Sequence, residues 1–138
     1  MSIRIATLDD TPKIKELLEQ LGYPTANDAL EKRIDQLLNN SDHHLIVYGD
    51  VEALMSIHFV PQLPLPGDFA IISYFAVDEK VRSKGIGKKM EEYCVKLATE
   101  KGCERIQVKC NIRRTEAHRF YERQGYQESR KYFSKILK

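Results

Sequence analysis

The sequence predicts an α/β fold, and three observations support that prediction. An apolar run rich in β-branched and aromatic residues spans Ala70 to Val77, and apolar residues at helical spacing follow it up to Glu100. Two further strand-like runs, Leu45 to Tyr48 and Val51 to Val60, flank a Gly49-Asp50 turn. Two amphipathic helical patterns come before these runs. Strands and helices are therefore expected in one domain.

Length and composition limit the class of protein. The chain has 138 residues, of which 42% are hydrophobic and 30% are charged, as expected of one soluble globular domain spanning residues 1–138. No apolar run approaches the roughly 20 residues that cross a bilayer. The first ten residues show no signal-peptide core, so we expect a cytoplasmic protein that has no membrane partner.

The first forty residues predict a short strand and two helices. Ile3 and Ile5 alternate with other residues, as in a strand with one side buried. The run Asp9-Asp10-Thr11-Pro12 begins a helix that Gly22 ends. A second helix is expected from near Thr25 to Asn39.

The elements after residue 60 are predicted from local signals. Three prolines between Pro61 and Asp68 exclude a strand there, because each removes a backbone donor. A strand is expected over Arg105 to Cys110, a short helix over Thr115 to Arg123, and a last strand over Tyr126 to Leu137.

A candidate anion site lies between the run Ala70 to Val77 and the helix after it. The segment Arg82-Ser83-Lys84-Gly85-Ile86-Gly87 places two glycines and two cations, followed by Lys88, where a helix begins with unpaired N–H groups. A phosphate or pyrophosphate fits such a site. The spacing is not that of a Walker A loop and lacks the third glycine of the dinucleotide motif. On the glycines alone, a simple strand-to-helix turn remains an equal alternative.

A second motif decides between these alternatives. Asn111, Ala117, Tyr121, Gly125 and Tyr126 follow the glycine loop. Together the two motifs resemble the GNAT superfamily of acyl-CoA-dependent N-acyltransferases. The resemblance implies a mixed, mostly antiparallel sheet of six or seven strands with four helices. It also implies that the central strands are splayed apart at the acetyl-CoA site, with a bulge near Phe75-Ala76-Val77.

The resemblance also implies an activity and a site. The chain would be an acyltransferase that moves the acetyl group of acetyl-CoA, its co-substrate, to a small-molecule primary amine within a ternary complex. Tyr121 would be the general acid, although an inward-facing structural aromatic is the alternative. Tyr23, Pro24 and Thr25 lie in a region that forms part of the acceptor wall in the family, so the resemblance implies that they touch the acceptor, with an ordinary helix–helix connection as an equal alternative. The residues that the resemblance assigns to acetyl-CoA are Phe75, Ala76, Val77, Arg82, Ser83, Lys84, Gly85, Ile86, Gly87, Lys88, Asn111 and Tyr121.

The general base is not assigned. Many family members carry a glutamate near the position of Ser73, but the run Ala70 to Val77 contains no carboxylate. Ordered water, Glu52, His58 or Asp68 are the alternatives, and an acceptor with a low amine pKa needs no base. The alternative functions are a protein or peptide N-acetyltransferase and a noncatalytic acetyl-CoA sensor.

Metal and nucleic-acid partners are not expected. The three cysteines, Cys94, Cys103 and Cys110, show no zinc-ligand or disulfide spacing, and the four histidines show no metal-ligand pairing. The net charge is only +2, and basic residues alternate with acidic ones even in the basic C-terminal part. The family resemblance leaves a homodimer as an option.

Overall fold

The computed structural model describes residues 2–82, 84–109, 115–129 and 133–138. Their strands are β1 (Ile3–Ile5), β2 (His43–Tyr48), β3 (Ala53–Val60), β4 (Phe69–Val77) and β5 (Arg105–Val108). Their α-helices are α1 (Thr11–Leu21), α2 (Asn27–Leu38), α3 (Ile86–Glu100) and α4 (Thr115–Arg123). Short 3-10 turns precede α1 and follow β4.

The strands form one mixed sheet in the order β1-β2-β3-β4-β5. Neighbours from β1 to β4 pair antiparallel, and β4 pairs parallel with β5. The α+β class and the four helices are confirmed. The predicted strand count of six to seven is wrong for the described residues, which form five strands.

The missing strand is the one predicted over Tyr126 to Leu137. Residues 126–129 and 133–138 are not in a strand, and the apolar side chains of Phe133, Ile136 and Leu137 are almost fully exposed. The alternation in this segment is weak and interrupted by charged residues. Such a pattern specifies neither a buried face nor a register.

Helices cover both faces of the sheet. On one face, α1 and α2 bury a cluster that includes Ile14, Leu17 and Ile34. On the other face, α3 buries Met90 and Cys94 against the sheet. Among the described residues, no helix is both long enough and apolar enough to cross a membrane.

Local chemistry explains where most elements begin and end. Pro12 lies in the first turn of α1, where its missing N–H costs nothing, and Gly22 ends the helix with φ 97°. The strand predicted from Val51 begins instead at Ala53, because Val51 has φ 63° in the β2–β3 turn. The helix predicted from near Thr25 begins at Asn27.

Candidate active site

The N-terminus of α3 presents unpaired backbone donors. Gly85 precedes the helix in the left-handed conformation, with φ 80°, which glycine adopts without the steric cost of a Cβ. The first helical bond runs from Lys89 N–H to the Gly85 carbonyl at 3.1 Å. The N–H groups of Ile86, Gly87 and Lys88 therefore precede the helical ladder, and no described side chain caps them. This end of α3 suits an anion.

Exposed cations surround these donors. Arg82, Lys84 and Lys88 are all on the surface around the start of α3. The Arg82 Nε donates to the Val77 carbonyl at 3.3 Å, which ties the loop to the end of β4. Ile86 has a buried side chain, so its contribution to a ligand is its backbone N–H. Ser83, also assigned to this loop, lies outside the described residues.

Gly87 has a different role from Gly85. A Cβ at Gly87 would lie 3.4 Å from the Phe120 ring and 3.7 Å from Val77, which is ordinary van der Waals contact. The missing side chain therefore faces α4 and β4. The space beside the Phe120 ring would admit a methyl group.

The strand β4 separates from β5 halfway along its length. Phe69 to Ile72 pair with Arg105 to Val108, and beyond Ile72 the described residues show no pairing between the two strands. On the other side, Ser56 pairs with Tyr74 and Ile57 with Ile72, so Ser73 is an extra, bulged residue. The register irregularity therefore lies before Phe75-Ala76-Val77, at a position where the family often has a glutamate.

The separation of β4 from β5 leaves an open backbone edge that suits an extended ligand. Asp78 N–H donates to the Glu52 carbonyl at 2.8 Å, toward the β3 side of β4. Because successive N–H groups of a strand point to opposite sides, those of Val77 and Phe75 point away from β3. By the same alternation, the N–H of Ala76 points toward β3, and its side chain is buried in the cluster beneath α1 and α2. The predicted backbone donor at Val77 thus lies on the open side of β4.

Aromatic contacts hold Tyr121 beside this edge. Its ring centroid lies 6.5 Å from that of Phe75, 5.4 Å from that of Phe120 and 5.5 Å from that of Tyr126. Burial raises the pKa of the Tyr126 phenol and of the buried Glu91 carboxyl with which it interacts. These contacts pack the end of α4 against α3 and β4.

A cavity of about 70 Å³ lies where β4 and β5 separate. Tyr121, Ser73 and Lys109 form part of its wall, together with Tyr23 from the α1–α2 connection. Tyr23 also contacts Tyr74 edge to face, with ring centroids 5.3 Å apart. Of the three residues compared with the family's acceptor wall, only Tyr23 is in this lining. Asn111 lies outside the described residues.

A hydrogen-bonded chain beneath this cavity could not be identified from motifs. Ser73 Oγ lies 3.1 Å from Ser56 Oγ, which lies 2.7 Å from His43 Nε2. His43 and Ser56 are each only 5% exposed. Burial, with a smaller effect of His58, lowers the pKa of His43 to about 4. The hairpin register could have indicated that His43 lies on β2 beside β3, since pairing Tyr48 with Ala53 also pairs His43 with His58.

The other candidates for a base lie elsewhere. Glu52 lines a separate cleft beside Lys13, and Asp68 accepts a backbone bond from Glu104 N–H through its carbonyl. His58 contacts His43, with ring centroids 4.4 Å apart. None of the three is in the lining of the cavity that Tyr121 shares.

Of the described cysteines, Cys94 is buried and Cys103 is half-buried. Burial raises the pKa of the Cys94 thiol to about 12, and it also raises the pKa of Cys103. Both thiols are therefore poor nucleophiles at neutral pH. Within the described ranges, no three His, Cys, Asp or Glu side chains converge as a metal site. Cys110 is outside those ranges.

Comparison with known families identifies the class. Residues 11–126 match the Acetyltransferase (GNAT) family. The chain belongs to the GNAT family. It is thus a GNAT N-acetyltransferase, an acyltransferase, as the two motifs predicted, and acetyltransferases of this family generally use acetyl-CoA.

Individual known proteins resemble the chain over almost its whole length. It is 28% identical over 142 residues to an aminoalkylphosphonate N-acetyltransferase of Salmonella typhimurium strain LT2, covering 98% of this chain and 90% of that protein. The glucosamine-6-phosphate N-acetyltransferase of Arabidopsis thaliana superposes with TM-score 0.82 at 25% identity, covering 99% and 98% of the two chains. A transcriptional regulator from Bacillus halodurans C-125 superposes with TM-score 0.89 at 23% identity over 99% of each chain, which shows the shared fold.

Proposed function

We propose that this GNAT enzyme transfers the acetyl group of acetyl-CoA to the primary amine of a small molecule. The amine attacks the thioester directly while both substrates are bound. The observation that carries this proposal is the open edge of β4. It runs from the cavity at Ser73 to Val77, where Arg82 joins it to the start of α3, whose unpaired N–H groups suit an anion.

The residues present fit acetyl-CoA. The N–H groups at the start of α3, with Arg82, Lys84 and Lys88, suit the pyrophosphate, and Ser83 belongs to the same loop. The backbone groups of Phe75 and Val77, on the open side of β4, suit the amide groups of the pantetheine arm, whereas the backbone N–H of Ala76 is directed toward β3. Asn111, which follows β5 in the chain, is proposed to bond that arm as well. Acetyl-CoA supplies the activated acyl group.

The backbone N–H of Val77 is proposed to stabilise the thioester oxygen. A donor fixed by strand pairing needs no reorganisation when negative charge develops on that oxygen. Removing one such donor typically lowers the rate about 10²- to 10³-fold.

Tyr121 is proposed as the general acid that protonates the departing thiolate. It lines the cavity, and contacts with Phe75, Phe120 and Tyr126 fix the position of its ring. Positioned acids of this kind contribute about 10²- to 10⁴-fold.

A small acceptor with an anionic group suits this cavity. Its volume of about 70 Å³ admits the amino end of a substrate. Lys109 forms part of the wall. The Salmonella relative is an aminoalkylphosphonate N-acetyltransferase, so aminoalkylphosphonates are the first acceptors to test.

The test is acetyl-CoA-dependent thiol release with a panel of amines. The panel contains aminoalkylphosphonates, glucosamine 6-phosphate, polyamines and lysine-containing peptides. Tyr121→Phe is compared with Tyr93→Phe, a tyrosine on α3 that packs against the core. We expect wild type to acetylate a small amine, at a rate that falls about 100-fold in Tyr121→Phe but not in Tyr93→Phe. Acetyl-CoA affinity should be unchanged in both variants.

Other outcomes identify the alternatives. Turnover of peptides but not of small amines would indicate a protein acetyltransferase. Binding of acetyl-CoA without turnover of any amine, with the same acetyl-CoA affinity in Tyr121→Phe as in wild type, would indicate a sensor.

A further inference from the structure

A carboxyl group interrupts the apolar inner face of α3. Met90 and Cys94 pack into the core from this helix, yet Glu91 beside them is only 4% exposed. None of the ion pairs in the described part of the chain includes Glu91. Burying a carboxyl group costs free energy unless the group has a polar partner. Glu91 therefore requires a partner within the protein.

The segment that follows α4 supplies this partner. Gly87 lies one helical turn before Glu91, and a Cβ at Gly87 would lie 3.4 Å from the Phe120 ring, so this stripe of α3 faces α4. Tyr126, just after α4, interacts with the Glu91 carboxyl. The Tyr126 hydroxyl is buried and makes no hydrogen bond among the described residues. Because an unsatisfied buried hydroxyl is unfavourable, a small adjustment that brings it onto the carboxyl oxygen is favoured.

The Tyr126 phenol is a hydrogen-bond donor at neutral pH. Burial raises its pKa above the ordinary value of about 10, and the charge of Glu91 raises the pKa further. The phenol therefore keeps its proton. A carboxyl group has an acceptor oxygen in both its charged and its neutral form, so the pairing does not depend on the protonation state of Glu91.

Tyr126 is joined to Tyr121 by its backbone and by its ring. Gly125 has φ 92°, and its N–H donates to the Glu122 carbonyl at 3.0 Å. The Tyr126 N–H donates to the Tyr121 carbonyl, also at 3.0 Å. These two bonds form a Schellman motif, in which the side chains of the two outer residues are usually in contact. Here their ring centroids lie 5.5 Å apart, so a displacement of Tyr126 also displaces Tyr121.

Resting on the proposed role of Tyr121 as general acid, we propose that Glu91 is a positioning residue that acts through Tyr126. The Glu91 carboxyl accepts a hydrogen bond from the Tyr126 hydroxyl and thereby fixes the end of α4 against α3. Tyr121, in the last turn of α4, is then held beside the open edge of β4. Glu91 is not in the described lining of the cavity, so its effect reaches the reaction through Tyr121.

The first test removes each half of the pair. Glu91→Leu and Tyr126→Phe should each lower kcat about tenfold without changing the Kd of acetyl-CoA, because a misplaced catalytic group slows the reaction and leaves the cofactor site intact. Glu91→Gln keeps an acceptor oxygen and should retain kcat near that of wild type.

Matched controls and folding measurements accompany these variants. Glu100→Gln at the exposed end of α3 and Tyr93→Phe on the same helix should both retain wild-type kcat. Melting temperature is measured on every variant. Tyr126→Phe removes a single oxygen atom, so it tests the pair even if Glu91→Leu does not fold.

The second test repeats Glu91→Leu in the Tyr121→Phe background. If Glu91 acts by placing the Tyr121 hydroxyl, its loss should lower kcat by less than about twofold once that hydroxyl is absent. A purely structural role would lower kcat by the same factor in both backgrounds. Equal factors would therefore overturn the proposal.

The outcomes separate this inference from the proposed function. Normal kcat in folded Glu91→Leu and Tyr126→Phe, with Tyr121→Phe still slow, would overturn the role of Glu91 and leave acetyl transfer standing. Absence of turnover with every amine would overturn the acetyl transfer itself, and the role of Glu91 with it.

Discussion

Arg82 links the end of β4 to the proposed acetyl-CoA site. Its Nε bonds the end of β4, while its guanidinium remains exposed beside the start of α3. This places a permanent cation near backbone donors that already favour an anion. The sequence of the glycine loop predicted a cation at this position, but not the hydrogen bond from the Arg82 Nε to the Val77 carbonyl that orients it.

Arg82→Ala should therefore weaken acetyl-CoA binding. Loss of a charged donor to a phosphate typically costs about 1.5–3 kcal/mol, or roughly 10- to 100-fold in affinity. Calorimetric titration with acetyl-CoA measures the effect, and Arg33→Ala on the exposed side of α2 is the control. Equal affinity in Arg82→Ala and wild type would exclude this residue from the cofactor site.

His43 should make the protein sensitive to acid. Its pKa is about 4 in the fold against 6.5 ordinarily, so between these values the unfolded chain binds the extra proton. Stability is unaffected above pH 6.5 and falls as pH decreases toward 4, by up to about 3 kcal/mol.

His43→Gln removes that titration. Urea unfolding at pH 7 and pH 4.5 should show a smaller loss of stability in His43→Gln than in wild type. Acidic groups with lowered pKa values, such as Asp10, titrate in both proteins and cancel in the comparison. Parallel losses in the two proteins would contradict the buried, neutral state of His43.

At the scale of elements, the two glycines of the loop have unequal conformational requirements. Gly85 has positive φ and open space around an added Cβ, so a side chain there causes backbone strain alone. Gly87 lies in α3 without that conformation, and an added Cβ would contact Phe120. The spacing of the glycines predicted the start of the helix correctly without distinguishing these roles.

Gly85→Ala should lower the free energy of unfolding by about 1 kcal/mol. Gly87→Ala should be neutral or stabilising by up to about 1 kcal/mol, because alanine favours a helix and the space admits a methyl group. Urea denaturation of both variants measures the difference. The reverse order of stability would show that the turn before α3 differs from the one described.

Elements with strong local signals were predictable, and those that depend on tertiary contacts were not. Proline in the first turn and glycine at the end predicted α1, and the helical spacing after Gly85 predicted α3. The resemblance implied a bulge near Phe75-Ala76-Val77, but its position at Ser73 follows from the pairing between β3 and β4, which no local signal in the sequence marks. The motif match predicted Tyr121, whereas His43 and Ser56 needed the strand register.

At the scale of the whole molecule, charge is unevenly distributed. The 38 residues from Lys101 onward contain 11 Lys or Arg and 4 Asp or Glu, although the net charge of the chain is only +2. The cations around α3 are also exposed, so salt should screen their attraction for a polyanion.

Acetyl-CoA affinity should therefore fall several-fold between about 0.05 M and about 0.5 M NaCl, where the screening length becomes shorter than the site. The change in melting temperature with saturating acetyl-CoA provides an independent measure, since a ligand that binds only the native state stabilises it. Affinity that does not depend on salt would argue against a phosphate at the start of α3.

The separation of β4 from β5 gives one strand two different levels of backbone protection. From Phe69 to Ile72 both neighbours pair with β4, whereas the N–H groups of Phe75 and Val77 are directed toward the open side. In the free enzyme these two amides should exchange with deuterated solvent much faster than that of Ile72. Acetyl-CoA should slow them, because its pantetheine arm would replace the missing neighbouring strand.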